Sequence, residues 1–256
     1  MRTNIREKKY YCGEYLDVYI YPTYKTAKSR SKKGKPTSDC QKALNKKNSR
    51  DKIVRLLHAN FTRKDIEIHL TYENPPDTPE QAKKDTQNYI RRLRRLRQKN
   101  GLPELKYICV TEKSGKGRYH HHITLSGGID RDVLERLWGH GYANSKRLQF
   151  TNNGLEGLGK YITKEPIFYK RWHASRNIIN PPAKKRDGRI SQRTASLIAM
   201  ETAESKIEIE KLYPGYLLAE AESFHNEINR GTYIFARLYK ANGEYKNTKR
   251  RKIRNG

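Results

Sequence analysis

The chain has 256 residues, of which 55 are Lys or Arg and 27 are Asp or Glu, so its formal net charge at pH 7 is +28. A chain this basic repels itself unless a polyanion offsets the charge, and the usual polyanion is nucleic acid. Hydrophobic residues make up only 34% of the sequence, and no stretch approaches the ~20 apolar residues that a membrane span requires. The first residues do not begin a signal peptide, and the three cysteines are far apart, so we expect a cytoplasmic protein with free thiols.

The amino-terminal part, residues 1–60, is predicted to be a basic extension. Residues 14–21 alternate between apolar and polar side chains, which indicates a strand. Residues 25–35 are rich in Lys, Ser and Gly, which is typical of a loop or a mobile arm. Residues 39–58 carry apolar side chains at helical spacing, and we expect a helix there.

The middle part, residues 61–170, shows clearer periodicity. Thr78 and Gln81 form a capping box around Pro79, so a helix begins there, and Gly101 ends it. We predict strands at 65–72, 105–112, 118–126 and 145–150, a long helix from 78 to about 100, a short helix from 130 to 139, and a last helix that begins at Asn152 or Asn153 and ends near Glu165. The first six elements have the β-α-β-β-α-β order of ferredoxin-like folds. The sequence therefore predicts an α+β domain whose antiparallel sheet has the first and third strands at its centre.

The carboxy-terminal part, residues 171–256, is predicted to be a second extension that contacts DNA or packs on the middle domain. Residues 172–182 are predicted to be irregular, residues 189–213 to be helical, and residues 231–239 to form a strand. The tail from 246 to 256 is basic. Many Lys and Arg residues of the two extensions are expected to contact duplex DNA, although a solvated basic surface is nearly as good an explanation for each of them.

Three consecutive histidines lie within one predicted strand. Because successive side chains of a strand point to opposite faces, His120 and His122 share a face and His121 points to the other. Two imidazoles spaced this way can bind one metal ion. If residues 113–117 form the hairpin loop, Glu112 shares this face diagonally across from His120 and supplies a third ligand.

A tyrosine on the last predicted helix is the candidate nucleophile. Tyr161 and Lys164 lie three residues apart and therefore share a helix face, while Leu155, Leu158 and Ile162 form the buried stripe. A phenol beside an ammonium group is suited to attack a phosphodiester whose oxygens a metal ion polarises. Tyr169 follows eight residues later, and the sequence leaves open whether it performs a second transfer.

These segments together resemble the motifs of HUH replication initiators, which occur in rolling-circle plasmids and single-stranded DNA phages of bacteria. Residues 66–72 resemble the first motif, residues 119–122 the metal motif and residues 161–164 the nucleophile motif, and Glu112 lies where relatives place an acidic ligand. His121 replaces the usually hydrophobic middle residue of the metal motif. The resemblance covers roughly residues 61–166.

The resemblance implies a sequence-specific endonuclease that initiates rolling-circle replication in a bacterial host cell. Tyr161 would attack the origin phosphate of a single strand, form a 5′-phosphotyrosine and release a 3′-OH, with Mg²⁺ or Mn²⁺ as the ion. The implied partners are single-stranded DNA at the origin, flanking duplex, and the host helicase and polymerase.

Three other functions are compatible with parts of this pattern. A relaxase or a transposase of the same superfamily would keep the chemistry and change the biology. A non-catalytic nucleic-acid-binding protein could use the same fold, although RNA-recognition modules place aromatic residues where this third strand carries histidines. A zinc hydrolase would use the histidine pair with an activated water. The effect of replacing Tyr161 with Phe distinguishes the covalent mechanism from the last two.

Overall fold

The computed structural model describes residues 4–23, 39–115, 117–162, 172–226 and 231–241. The chain divides into two compact units. One unit is a continuous stretch, Pro36–Pro181, and the other combines Met1–Lys35 with Pro182–Gly256. The two predicted extensions thus fold together, except that the helix after the basic loop lies in the continuous unit.

The described residues form ten strands and six helices, numbered in chain order. The strands are β1 (Asn4–Cys12), β2 (Tyr15–Thr23), β3 (Ile66–Thr71), β4 (Tyr107–Lys113), β5 (Tyr119–Leu125), β6 (Ala143–Arg147), β7 (His173–Ala174), β8 (Lys184–Asp187), β9 (Tyr216–Asn226) and β10 (Gly231–Lys240). The helices are α1 (Asp39–Asn60), α2 (Pro79–Lys99), α3 (Arg131–Arg136), α4 (Glu156–Tyr161), α5 (Gln192–Ile198) and α6 (Ala203–Leu212).

The continuous unit contains an antiparallel sheet with the order β6-β3-β5-β4-β7. The first and third strands of the predicted β-α-β-β-α-β order are β3 and β5, and they lie at its centre. The predicted α+β class and ferredoxin-like order are confirmed. Two details differ: the two-residue strand β7 extends the sheet beyond β4, and β6 begins two residues earlier than expected because its pairing with β3 starts at Ala143.

Alternation along β3 separates the two faces of this sheet. Ile66, Ile68 and Leu70 are buried against helices α2 and α3, in a core that also contains Tyr89 and Trp138. The amphipathic helix α2 covers this face with its apolar stripe, since its arginines occupy the other positions. The opposite face of β3 carries polar side chains, and this face holds the candidate site.

The ends of the predicted helices are largely as expected. The Thr78 hydroxyl accepts a hydrogen bond from the Gln81 amide at 3.2 Å, and Asp130 caps α3 through the Asp132 amide at 2.9 Å. Gly101 follows α2 with a φ of +63°, which suits glycine. The Gln81 side chain donates to Asp85 at 2.7 Å, so the hydroxyl half of the capping box is the part that the structure shows.

The polar face of the sheet is partly covered by α1 and α4. Their apolar side chains pack with Ile108 and Val110 of β4 in a separate core. The prediction that Asn152 or Asn153 caps α4 is wrong, because the helix starts only at Glu156, after a tight turn between Thr151 and Gly154. A buried imidazole replaces the expected cap: Nε2 of His58 accepts a hydrogen bond from the backbone amide of Leu155 at 2.8 Å.

The discontinuous unit contains a second antiparallel sheet with the order β8-β1-β2-β10-β9. Helices α5 and α6 pack on one face of it, around Leu16, Val18 and Ile20. The predicted strands at 14–21 and 231–239 are confirmed, whereas the predicted helix at 189–213 is two helices, α5 and α6. Strand β1 was not predicted, and the tail from 246 lies outside the described residues. Within the described parts of the chain, no helix is both long and apolar enough to cross a membrane.

Two glycines of α4 provide a test of this packing. A Cβ atom at Gly159 would overlap the buried Val54 side chain of α1, whereas one at Gly157 would have no neighbour within 4 Å. We expect Gly159→Ala to lower the free energy of unfolding by about 1–3 kcal/mol, as overpacking does. Gly157→Ala should raise it by about 0.5–1 kcal/mol, because alanine favours a helix. Chemical denaturation followed by circular dichroism measures both, and equal effects of the two substitutions would contradict the α1–α4 packing.

Candidate metal centre and nucleophile

Three histidines on the two central strands form a cluster. His69 of β3 lies directly opposite His122 of β5 in the strand register, and their rings stack at 4.5 Å between centroids. His120 is two residues before His122 on the same face, with its ring 5.4 Å from each of the other two. One nitrogen from each of the three rings lies within 4.8 Å of the others, so the group could hold a metal ion.

Glu112 of β4 lies beside two of these histidines. Its Oε2 atom is 3.3 Å from Nε2 of His120 and 3.8 Å from Nε2 of His122. The predicted hairpin register is wrong by two residues, because β4 continues to Lys113 and the loop is formed by residues 114–118. Glu112 therefore lies opposite His120 and not diagonally across from it. A shift of two residues preserves the face, so the side chain still reaches the cluster.

A second carboxylate, Glu67, supports the cluster from β3. Its Oε1 atom is 3.8 Å from Nδ1 of His122, and its Oε2 atom is 3.1 Å from the ammonium group of Lys146. Burial alone would raise the pKa of Glu67, but the interactions with His122 and Lys146 outweigh burial, and the pKa is lowered. Glu67 is therefore ionised at neutral pH, and it faces the nitrogen of His122 that lies away from Glu112.

The chemical state of the histidines suits a metal ion. Burial, followed by the proximity of His122 and His120, lowers the pKa of His69 to about 4. His69 is therefore neutral at pH 7, and a neutral imidazole is the form that binds a metal. Among the described residues, neither Nε2 of His69 nor the two ring nitrogens of His122 has a hydrogen-bond partner, although these atoms are buried. A metal ion would satisfy such donor atoms.

The middle histidine, His121, faces the opposite side of the sheet and is fully buried under α2. Its Nδ1 lies 2.9 Å from the Thr111 hydroxyl and 3.0 Å from the Thr86 hydroxyl, and its Nε2 lies 2.9 Å from the Tyr72 hydroxyl. Burial lowers the pKa of His121 to about 3, so this imidazole is neutral. These hydrogen bonds connect the strand that carries His120 and His122 to helix α2 and to β4, and they limit its movement.

Tyr161 is the last residue of α4, and its side chain faces the cluster. Its ring lies edge-on to that of His122 with 4.9 Å between centroids, and the residue is 49% exposed. Leu155 and Ile162 are buried, as predicted, and Leu158 packs against the same core. The predicted partner Lys164 and the alternative tyrosine Tyr169 lie outside the described residues.

The sequence interpretation missed His69 and Glu67. Both were placed in the strand that resembles the first motif, but no role was predicted for either side chain. The signal was available, because Glu67 and His69 alternate on β3 and the predicted topology makes β3 the neighbour of the histidine strand. Only the register, which pairs His69 with His122, shows that the two rings meet.

The fold and this site define an α+β domain with a candidate metal centre and an adjacent exposed tyrosine. Residues 65–166 match the model of a protein family described as replication-associated protein ORF2. The matched stretch begins just before β3, ends just after α4, and contains every residue of the site described above. It covers less than half of the chain, and over this stretch the protein is similar to a replication-associated family. No curated protein and no solved structure matches the chain.

We expect the three histidines to be required for binding of a divalent metal. His69→Ala, His120→Ala and His122→Ala should each weaken the affinity for Mn²⁺ by at least about 10-fold, the lower limit seen even for residues that only support a ligand. His225→Ala is the matched control, since this histidine lies in the discontinuous unit. Isothermal titration calorimetry measures the affinity, and circular dichroism verifies that each variant is folded. Unchanged affinity in the His69 variant would remove it from the metal site.

Proposed function

We propose that the protein is a single-stranded DNA endonuclease and strand transferase that nicks a replication origin and initiates rolling-circle replication. The observation that supports this most is the position of Tyr161, half-exposed and with its ring 4.9 Å from that of His122 in a cluster of potential metal ligands. The similarity of residues 65–166 to a replication-associated family agrees with the same proposal. The net charge of +28 suits a DNA substrate.

The donor atoms fit a divalent metal ion held by His69, His120 and His122, with Glu112 as a further ligand. When bound, the ion would polarise the non-bridging oxygens of the scissile phosphate. Imidazole nitrogens favour a transition metal, whereas Mg²⁺ prefers oxygen ligands, so Mn²⁺ fits this donor set better than Mg²⁺ does. Glu67 would hold the ring of His122 in place through its Nδ1 atom.

The proposed reaction is a transesterification. The phenol oxygen of Tyr161 forms a bond to phosphorus, and the bond between phosphorus and the 3′ oxygen breaks. The phenol proton leaves to solvent, to which the side chain is exposed, and the departing 3′ oxygen gains a proton. One phosphodiester replaces another, so no oxidant or nucleotide cofactor is consumed and the reverse reaction can rejoin the strand. Lys164, at the predicted spacing from Tyr161, would stabilise the developing charge.

The products determine the proposed partners. The released 3′-OH is a primer end, so a host polymerase would extend it, and a host helicase would separate the strands ahead of it. The same chemistry would serve a relaxase or a transposase. These alternatives differ in the DNA that is cut and not in the residues that cut it.

We expect Tyr161→Phe to abolish a covalent protein–DNA adduct. The protein is incubated with a labelled single-stranded oligonucleotide library and Mn²⁺, and adducts are detected on a denaturing gel. Phenylalanine keeps the ring against His122 but removes the nucleophilic oxygen, so the adduct should vanish while DNA binding persists. Tyr11→Phe, which changes an exposed tyrosine of the discontinuous unit, should form as much adduct as the wild type.

Other outcomes would separate the alternatives. An adduct that persists in Tyr161→Phe would assign the nucleophile to another residue. Cleavage without an adduct would favour hydrolysis by a metal-bound water. Intact DNA binding with neither cleavage nor adduct under any divalent metal would favour a non-catalytic nucleic-acid-binding protein.

A further inference from the structure

The edge strand β6 presents a row of exposed side chains beside the histidine cluster. Alternate residues of this strand share the face of the cluster, and each lies next to a residue of β3: Asn144 pairs with His69, and Lys146 pairs with Glu67. Tyr142, just before the strand, extends the same row beside Thr71. Tyr142 is 80% exposed, and the side chain of Lys146 is 64% exposed.

Two separate cavities open at opposite ends of the cluster along the strand direction. The first has a volume of about 500 Å³ and is lined by Tyr142, Arg118, His69 and His120, among others. The second has a volume of about 240 Å³ and is lined by Tyr161, Glu67, Lys146 and Arg147, among others. They have no lining residue in common. The phenol of Tyr161 therefore lies at the end of the cluster away from Tyr142.

The stereochemistry of phosphoryl transfer gives these two cavities different roles. In an in-line displacement, the attacking oxygen and the leaving oxygen lie on opposite sides of the phosphorus atom. With Tyr161 attacking from the second cavity, the 3′ oxygen departs toward the first. This reasoning, which rests on the proposed function, determines the direction in which the DNA strand crosses the sheet.

We propose that the cavity beside Tyr142 binds the nucleotide whose 3′-OH is released, with its base stacked on the Tyr142 ring. The strand then continues past the cluster along β6. The nucleotide whose 5′-phosphate becomes attached to Tyr161 lies in the second cavity, where Lys146 and Arg147 provide positive charge for the following phosphates. The face of β6 is thus a track for one DNA strand with a defined polarity.

Tyr142 has the properties of a stacking platform. Its backbone carbonyl accepts hydrogen bonds from the amide of Thr71 at 2.8 Å and from the Thr71 hydroxyl at 3.2 Å. Gly141 before it has a φ of +137°, and a Cβ atom there would overlap the backbone of Glu73. The backbone is therefore fixed while the ring projects into solvent, so stacking requires little ordering of the protein.

The charges around the first cavity agree with one nucleotide and not with a run of phosphates. Arg118 is the basic residue among its lining residues and Glu73 the acidic one. Arg118 can contact the phosphate on the 5′ side of the bound nucleotide, whereas Glu73 would repel a second phosphate. The base itself is uncharged, and stacking on an aromatic ring is open to every base.

The test removes single bases from the substrate. Once the cut position has been mapped, oligonucleotides are prepared with an abasic site at the nucleotide before the cut or at the nucleotide after it. The adduct assay measures KM and kcat for the wild type, Tyr142→Phe and Tyr142→Leu. We expect the abasic site before the cut to raise KM of the wild type by about 10-fold, the size of one stacking interaction.

The variants show whether Tyr142 is the residue responsible. Tyr142→Phe should behave as the wild type because it keeps the ring. Tyr142→Leu should raise KM by a similar factor on the intact oligonucleotide and show no further penalty from the abasic site before the cut. Its affinity for Mn²⁺ and its kcat should stay near wild type, which a loss of folding would not permit. Tyr11→Leu, in the discontinuous unit, is the matched control and should keep the wild-type KM.

Failure of the inference can be told apart from failure of the proposed function. If the wild type forms an adduct but the abasic penalty is the same in Tyr142→Leu, or is greatest after the cut, the proposed polarity is wrong and the nuclease function stands. If the wild type forms no adduct with any divalent metal, the nuclease function is wrong, and the assignment of the two cavities is overturned with it.

Discussion

The antiparallel register between β3 and β5 is the constraint on which the site depends. It places His69 opposite His122 and brings the polar faces of both strands together. A slip of one residue would turn His120 and His122 toward the core and His121 toward solvent. Both sides of the sheet resist such a slip. The core side would lose the buried Ile66, Ile68 and Leu70, and the His121 imidazole would lose its contacts with Tyr72, Thr86 and Thr111.

The buried middle histidine illustrates how the two faces cooperate. A hydrophobic residue at this position would hold the strand by packing alone. His121 instead makes directional contacts with α2 and β4, and a neutral imidazole with satisfied nitrogens is compatible with full burial. Such contacts restrict the rotation and translation of β5 more than packing does. The positions of His120 and His122, one residue to either side, are fixed as a consequence.

Much of the continuous unit could be predicted from the sequence because its signals are local. Alternation identified β3, β4 and β5, the Thr78 hydroxyl marked the start of α2, and strand parity placed His120, His122 and Glu112 on one face. His69 could not be assigned a role in this way, because its contact with His122 depends on pairing between strands more than 50 residues apart along the chain. The cap of α4 was missed for the same reason, since His58 comes from α1.

The discontinuous unit was harder to predict because its stabilising contacts span almost the entire chain. Strand β2 pairs with β10, and the buried ion pair between Asp17 and Arg237 joins residues 220 positions apart. Glu7 of β1 is likewise buried, with its carboxylate accepting a hydrogen bond from the Tyr213 hydroxyl at 2.6 Å. No local pattern reports such partners. The charged residues of β1 and the four exposed residues of β8 read as loop until their neighbours in the sheet are known.

This arrangement has a consequence for synthesis of the protein on the ribosome. Strands β1 and β2 emerge first, but their sheet partners β8, β9 and β10 follow only after the whole continuous unit. A two-stranded hairpin is at best marginally stable alone, and at typical synthesis rates it waits roughly 10 to 40 s for those partners. The unit with the histidine cluster can thus complete its core while Leu16, Val18 and Ile20 of β2 remain uncovered. Those side chains are where a nascent-chain chaperone would bind first.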